Sequence, residues 1–431
     1  MSRIFKEPDI ENYYIRVKKR NLVVLYVINV LHGVVIGFFN SVYQSHLYNL
    51  TLDEFKVGII QSTGFLMMLV AMLFSGLFAE KIGKKNMILI GTGIFMSGFA
   101  VLYLGRTPFF LILGSMLIYG GFGCLDPSWV TVISHNTNEK NRGLVYALIY
   151  FFFFGGSIAG SLVVNLLEDF SIIAIIGLET TAGFYFLISI ALMFLEGLIQ
   201  GMFLNDKSIS ENQKNLFGMI KNKKKIWLVY IHDKALLLLL VFFILDAFIW
   251  GISIQLYYTA LRSSANGFGI SEAELALYVV FIVNLGNLLL QIPAGWLVDK
   301  IGSKISFILS EIFGLGFLIV NIVTWFLPRT MLFPMLIVAQ AFWTLMAVPF
   351  IPAQNKIITR IYPERTAEIY GFMNFTRNIF WFGAGYLAGW ILRTYGFTGP
   401  LFVGVIGVVL EIIYLFLFID EKKLVQLTSV T

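Results

Sequence analysis

The sequence predicts an all-α polytopic membrane protein, with twelve transmembrane helices in two pseudo-symmetric six-helix halves. Three observations predict it: an apolar excess, apolar stretches long enough to cross a bilayer, and a charged glycine turn that occurs twice. Of 431 residues, 58% are apolar and 13% charged, and mean hydropathy is +0.82. One soluble core cannot bury that much apolar surface, so a membrane protein is expected. A helix crosses about 30 Å of hydrocarbon with about 20 apolar residues. Such stretches fall near 22–48, 57–79, 86–104, 108–134, 143–167, 178–198, 235–261, 274–298, 304–327, 329–355, 366–392 and 398–419. Barrel strands are excluded because these runs lack period-two alternation.

Charge sets the topology. Lys and Arg in alternate loops divide into twenty-five on the side of both termini and five on the other, with Arg377 inside a span. The positive-inside rule then makes both termini and the 199–234 loop cytoplasmic, in the cell (plasma) membrane. The net charge of +6 reads as topology and gives no support to a nucleic-acid partner. The first twenty residues are polar and charged, so the first span is expected to stay as an anchor. The single cysteine, Cys124, is expected as a small buried thiol. The domains read as a segment 1–21, a bundle 22–198, a linker 199–234 with "KNKKK", a bundle 235–419 and a tail 420–431.

The glycine turn "GLFAEKIGKK" from Gly76 recurs as "GWLVDKIGSK" from Gly295, 219 residues later. Three further matches fall at similar offsets. His32, Gly37 and Tyr43 align with Asp246, Gly251 and Tyr257; Thr51 and Glu54 align with Ser271 and Glu274 as capping boxes; Arg142 aligns with Arg365. The order is the same throughout, which means two homologous halves. On these residues the chain resembles the major facilitator superfamily, whose signature G-x-x-x-D-[RK]-x-G-[RK]-[RK] joins helices 2 and 3. It is met by Gly76, Lys81, Gly83, Lys84 and Lys85, and by Gly295, Asp299, Lys300, Gly302 and Lys304. Glu80 replaces the aspartate in the first copy and Ser303 a basic residue in the second. Drug-exporter signatures fail: "FFLILGSMLIYGGFG" has no arginine and "FFFFGGSIAG" no proline. Sugar-porter signatures are also absent.

The glycines allow a tight corner, and the lysines hold the loop at an anionic face. Glu80 and Asp299 are expected to meet the positive start of a neighbouring helix, or Arg142 and Arg365, and so to latch the halves; the alternative is ordinary solvated charge.

The resemblance implies a central cavity lined by helices 1, 2, 4, 5, 7, 8, 10 and 11. Helical spacing gathers polar stripes on four of them: Asn374, Arg377, Asn378 and Trp381; Asn284, Asn287 and Gln291; Trp250, Ser253 and Tyr257 with Asp246; and Asn40, Tyr43 and Gln44. These are candidate solute contacts, with interhelical hydrogen bonding as the alternative. Arg377 breaks the internal symmetry, since its counterpart is Phe154. It reads either as a fork for a carboxylate or phosphate, or as a structural partner of Asp246. His32, Asp246 and Asp126, which precedes Pro127, are candidate proton-coupling groups. Glu311 and Glu411 read as interhelical pairing groups.

There is no G-x-x-x-x-G-K-[ST] motif and no His/Cys cluster with metal-ligand spacing, so neither ATP-driven pumping nor a metal or other cofactor is expected. The sequence therefore points to a secondary transporter working as a monomer by alternating access, with a proton as coupling ion and an organic anion as favoured solute. A lipophilic-compound exporter and a sugar transporter are the alternatives. A receptor or scaffold would need more extramembrane chain than the 199–234 linker. An enzyme would need an acid, base and nucleophile set at one depth, and none converges.

Overall fold

The computed structural model describes residues 7–137, 142–169, 181–205, 233–362, 366–421, 423–424 and 426. Among them are twelve long helices: α1 (Glu7–Thr51), α2 (Glu54–Ile82), α3 (Lys84–Leu104), α4 (Pro108–Asn136), α5 (Arg142–Asp169), α6 (Thr181–Phe203), α7 (Lys234–Ile254, resuming as Tyr257–Arg262), α8 (Glu272–Ile301, with a π-helical stretch at Ala276–Phe281), α9 (Ser303–Phe326), α10 (Leu332–Ile361), α11 (Thr366–Tyr395) and α12 (Thr398–Phe418). No described residue is in a strand. Eleven of the helices are long and apolar enough to cross a membrane; α11, with Asn374, Arg377 and Asn378, is the exception. The first helix starts at Glu7, well before residue 22, and α6 runs on to Phe203. Most of the 199–234 linker lies outside the described residues.

The duplication is visible in the packing. In the N-terminal half α1 packs on α5 and α6, α2 on α4, and α3 on α4 and α6; in the C-terminal half α7 packs on α11 and α12, α8 on α10, and α9 on α10 and α12. Across the halves α2 packs on α11 and α5 on α8, which the same two-fold relation exchanges. Glycines set the closest approaches. Gly33 and Gly37 on α1 face the backbone of Phe153 and Ser157 on α5, and Gly156 and Gly160 on α5 face Val30 and Val34. A Cβ at any of the four would strike a main-chain carbonyl. Within lipid, such small-residue contacts let backbones approach and gain dispersion energy where no hydrophobic difference drives association.

The two glycine turns have the same backbone. Gly83 (φ 92°) and Gly302 (φ 84°) are both left-handed, a conformation that side chains resist, so each turn passes at once into the next helix. The two predicted capping boxes part company. Ser271 and Glu274 form one, with Ser271 N donating to Glu274 Oε2 at 2.6 Å and Glu274 N to Ser271 Oγ at 3.1 Å. The other does not form. Asp53, closer to the start of α2, accepts from Phe55 N at 2.9 Å, and Thr51 turns back to the Leu47 carbonyl. Glu54 is thereby free for a contact across the halves.

Candidate functional site

Among the described residues, the hydrogen bonds and ion pairs between the halves run from mid-helix to the side away from the termini. At the inner limit Asn284 on α8 donates to Ser157 on α5 at 2.8 Å. Further out, Asn165 Nδ2 donates to the Ala273 carbonyl at 3.2 Å. The corners meet through Glu54, which is 4% exposed; its Oε1 accepts from Ser263 Oγ at 2.6 Å and Asn266 Nδ2 at 3.0 Å. Tyr48 reaches the same Ser263 hydroxyl at 3.0 Å, and Arg393 lies 3.5 Å from Asp53. Gln44 fills the break in α7: its amide donates to the Gln255 carbonyl at 3.0 Å and accepts from Thr259 N at 2.8 Å. The unwound backbone is thus satisfied from the other half, as hydrocarbon surroundings require.

Below this closed layer, Trp381 on α11 faces Phe65 on α2 with ring centroids 6.2 Å apart; Phe65 meets Tyr119 on α4 at 4.6 Å, and Tyr119 meets Tyr43 on α1 at 6.3 Å. An aromatic wall therefore runs from one half to the other. One turn of α11 closer to the termini, about 6 Å away, lies Arg377. Its Nη2 is 2.8 Å from Asp246 Oδ2, and its guanidinium lies 5.3 Å from the centre of the Phe350 ring. Asn374, Arg377, Asn378 and Trp381 are all partly exposed, and Asn374 accepts from Gln354 at 3.3 Å.

Other predicted contacts are spent within the protein. Tyr43 shares a hydrogen bond with Ser115. The α7 stripe turns into its own half: Trp250 Nε1 donates to Glu311 at 3.2 Å, and Tyr257 donates to Asn321 at 2.7 Å and accepts from Gln340 at 3.1 Å. Ser253 bonds the Ile249 carbonyl and, with Tyr257, lines a small pocket against Leu392 and Leu401. Asn287 bonds the Val283 carbonyl. Asn40 and Gln291 are half-buried.

In the N-terminal half His32 Nδ1 lies 3.2 Å from Glu196 Oε2 on α6, both fully buried. Gln200 donates to the other Glu196 oxygen at 2.8 Å and accepts from Thr92 on α3 at 3.0 Å. The repeat relates this network to one in the other half. His32 corresponds to Asp246, Thr92 to Glu311 and Glu196 to Glu411, at offsets of 214, 219 and 215. Asp126 is exposed on α4.

At the turns, Asp299 is 82% exposed and lies 3.6 Å from Lys356 on α10 of its own half. Lys300 lies 5.0 Å from the centre of the Trp296 ring, and Lys304 Nζ donates to the Phe416 carbonyl at 3.1 Å. Gly295 has open space beside it. The start of α9 is met by Glu421 instead: its Oε1 accepts from Ser303 N at 2.6 Å and Lys304 N at 3.1 Å, and Oε2 lies 2.6 Å from Arg360. A tail carboxylate thus supplies the helix-start contact expected of Asp299. Lys84 is buried, and Lys85 Nζ donates to the Gly201 carbonyl at 2.6 Å. Gly76, Glu80 and Lys81 lie on α2, Arg142 opens α5, and the side chains of Glu80, Lys81 and Arg142 fall outside the described residues, as does Arg365.

Two six-helix bundles that meet through α2 with α11 and α5 with α8, around a partly exposed polar and aromatic surface, define a polytopic two-bundle carrier. The model of the Major Facilitator Superfamily matches residues 25–264 and again 247–430, and the chain belongs to that superfamily of transporters. Among solved structures, a POT family transporter in complex with 5-aminolevulinic acid is similar at TM-score 0.71 and 17% identity, over 94% of this chain and 96% of that one. The nucleoside transporter NupG is similar at TM-score 0.70 and 15% identity, over 93% and 99%. These likenesses establish the fold. A curated relative, the multidrug resistance protein MdtH of Proteus mirabilis (strain HI4320), is 30% identical over 107 residues, which span 24% of this chain and 27% of that protein. The family is one of transporters.

Proposed function

We propose that the chain moves a small organic anion across the cell membrane by alternating access, coupled to protons. The observation that carries this reading is Arg377, partly exposed and paired with a buried aspartate. A guanidinium presents two parallel donors to a carboxylate or phosphate. An arriving anion competes with Asp246 for them, and protonation of Asp246 removes the competitor. Proton and anion thus favour each other's binding, which is what coupling requires. The polar bridges on the side away from the termini open and close as the halves rock about this level. With both termini cytoplasmic, those bridges lie on the outer side of the membrane.

The aromatic wall of Trp381, Phe65 and Tyr119, together with the partial match to MdtH, supports a second reading, export of lipophilic compounds.

A thermal-shift screen of the purified chain against solutes sorted by charge decides between them, because a ligand that binds the folded state raises its melting temperature. Carboxylates or phosphates are expected to stabilise the wild type and to lose that effect in Arg377→Gln. Shifts confined to neutral or cationic lipophilic compounds, equal in the variant, would overturn the anion reading.

A further inference from the structure

In the C-terminal half three carboxyl groups from three helices converge: Asp246 on α7, Glu311 on α9 and Glu411 on α12 are all buried, the two glutamates at 0% exposure. Glu311 and Glu411 face each other beside the Asp246–Arg377 pair. Arg377 is the one cation at the cluster among the described residues, and it lies against Asp246. Trp250 gives its indole N–H to Glu311 Oε2 at 3.2 Å. Apart from that mutual contact, Glu311 Oε1 and both oxygens of Glu411 have no hydrogen-bond partner among the described residues.

Two arguments follow from this geometry. If all three acids were ionised, three negative charges would face one positive charge away from water, and each unpaired buried ion costs several kcal/mol. A carboxylate facing another carboxylate also has nothing to donate, so contact between Glu311 and Glu411 becomes favourable only when one of them carries a proton. The helices around the acids pack closely. Gly314 on α9 and Gly404 and Gly407 on α12 bring α7 so close that a Cβ there would strike Trp250, Ser253 and Ile249. No described group of three acids, histidines or cysteines is arranged to hold a metal ion.

We propose that Glu311 and Glu411 form a proton-binding site behind the solute surface, on helices outside the cavity lining, and that Asp246 links it to Arg377. The proposal rests on the proton-coupled reading above and names where the protons are held. When an anion takes the guanidinium, Asp246 loses its counter-charge and accepts a proton from the glutamate pair, so the proton moves one group toward the solute and the count is conserved. The corresponding N-terminal network lacks this excess of acid: Thr92 stands in place of Glu311, and Glu196 is met by His32 and Gln200.

The test needs no solute and is therefore separable from the anion reading. Infrared spectra of the purified chain at neutral pH, in H2O and D2O, report the C=O stretch of neutral carboxylic acids. The wild type is expected to show such a band in sodium or choline chloride alike, Glu411→Gln and Glu311→Gln to weaken it, and the double variant to lose it. Glutamine has nearly the shape of a protonated glutamate, so the single variants are expected to keep the wild-type melting temperature. No neutral-carboxyl band in folded wild type, a band unchanged in both variants, or a band abolished by sodium would overturn the proposal. The wild-type measurement is decisive even if a variant fails to fold.

Discussion

Asp246 holds the Arg377 guanidinium at 2.8 Å from the buried side, 2% exposed where the arginine is 26% exposed. One guanidinium nitrogen is therefore already paired, and in the proposed site an anion gains there only the difference between its own contact and the one it displaces. Asp246→Asn removes the competitor and keeps a similar shape. Anion affinity is expected to rise about tenfold, the equivalent of about 1.4 kcal/mol, and to lose its dependence on pH. The concentration dependence of the thermal shift at two pH values measures both, and an affinity equal to wild type at each would refute the displacement.

The internal repeat made much of this legible in sequence. The turns at Gly83 and Gly302, the pairing of His32 with Asp246 and the twelve helices all follow from apolar length and fixed offsets. The same offsets pick out Glu196 with Glu411 and Thr92 with Glu311, but a single acid in a long apolar run gives no sign of the neighbour it meets. Helical spacing places Trp250, Ser253 and Tyr257 on one face, yet it cannot say that this face meets α9, α10 and α12. Spacing alone assigns the cap to Glu54, because it cannot choose between two adjacent carboxylates; Asp53 is closer to the free N–H groups.

The His32–Glu196 network predicts a stability effect confined to the N-terminal half. Glu196→Ala leaves His32 Nδ1 and Gln200 Nε2 without their acceptor in a dry interior. Each such loss costs about 1–3 kcal/mol. A clear fall in the detergent melting temperature is expected, with a smaller fall for Glu196→Gln, which keeps one acceptor. A melting temperature equal to wild type in Glu196→Ala would show that the network contributes nothing to stability.

Two neighbouring glycines on α5 test the close crossing of α1. A Cβ at Gly156 would strike the Val30 carbonyl, whereas one at Gly155 would enter open space. A main-chain oxygen cannot rotate away, so Gly156→Ala is expected to cost about 1–3 kcal/mol as overpacking. Gly155→Ala should match or slightly exceed wild type, since alanine is the better helix former. Size-exclusion thermostability of the two variants side by side checks the contrast, and equal melting temperatures would remove the basis for the close approach.

Glu54 predicts which way the carrier rests. Its carboxylate joins the corners through Ser263 and Asn266, two charge-assisted bonds made only while that side is closed. Hydrogen bonds to charged groups are worth about 1.5–3 kcal/mol each, so losing both shifts the balance between the two facing states by at least about tenfold. Spin labels at Lys56 and Ser264, both exposed and on opposite halves, can be placed on cysteines in a Cys124→Ala background. The wild type is expected to give one short distance between them, and Glu54→Ala to populate a longer one as the corners part. The same label pair with Asn49→Ala, which removes a longer contact of 3.5 Å to Glu272, should change the distribution less. A single unchanged distance in Glu54→Ala would place the closure of that side in the helix packing of α2 on α11 and α5 on α8 rather than in this carboxylate.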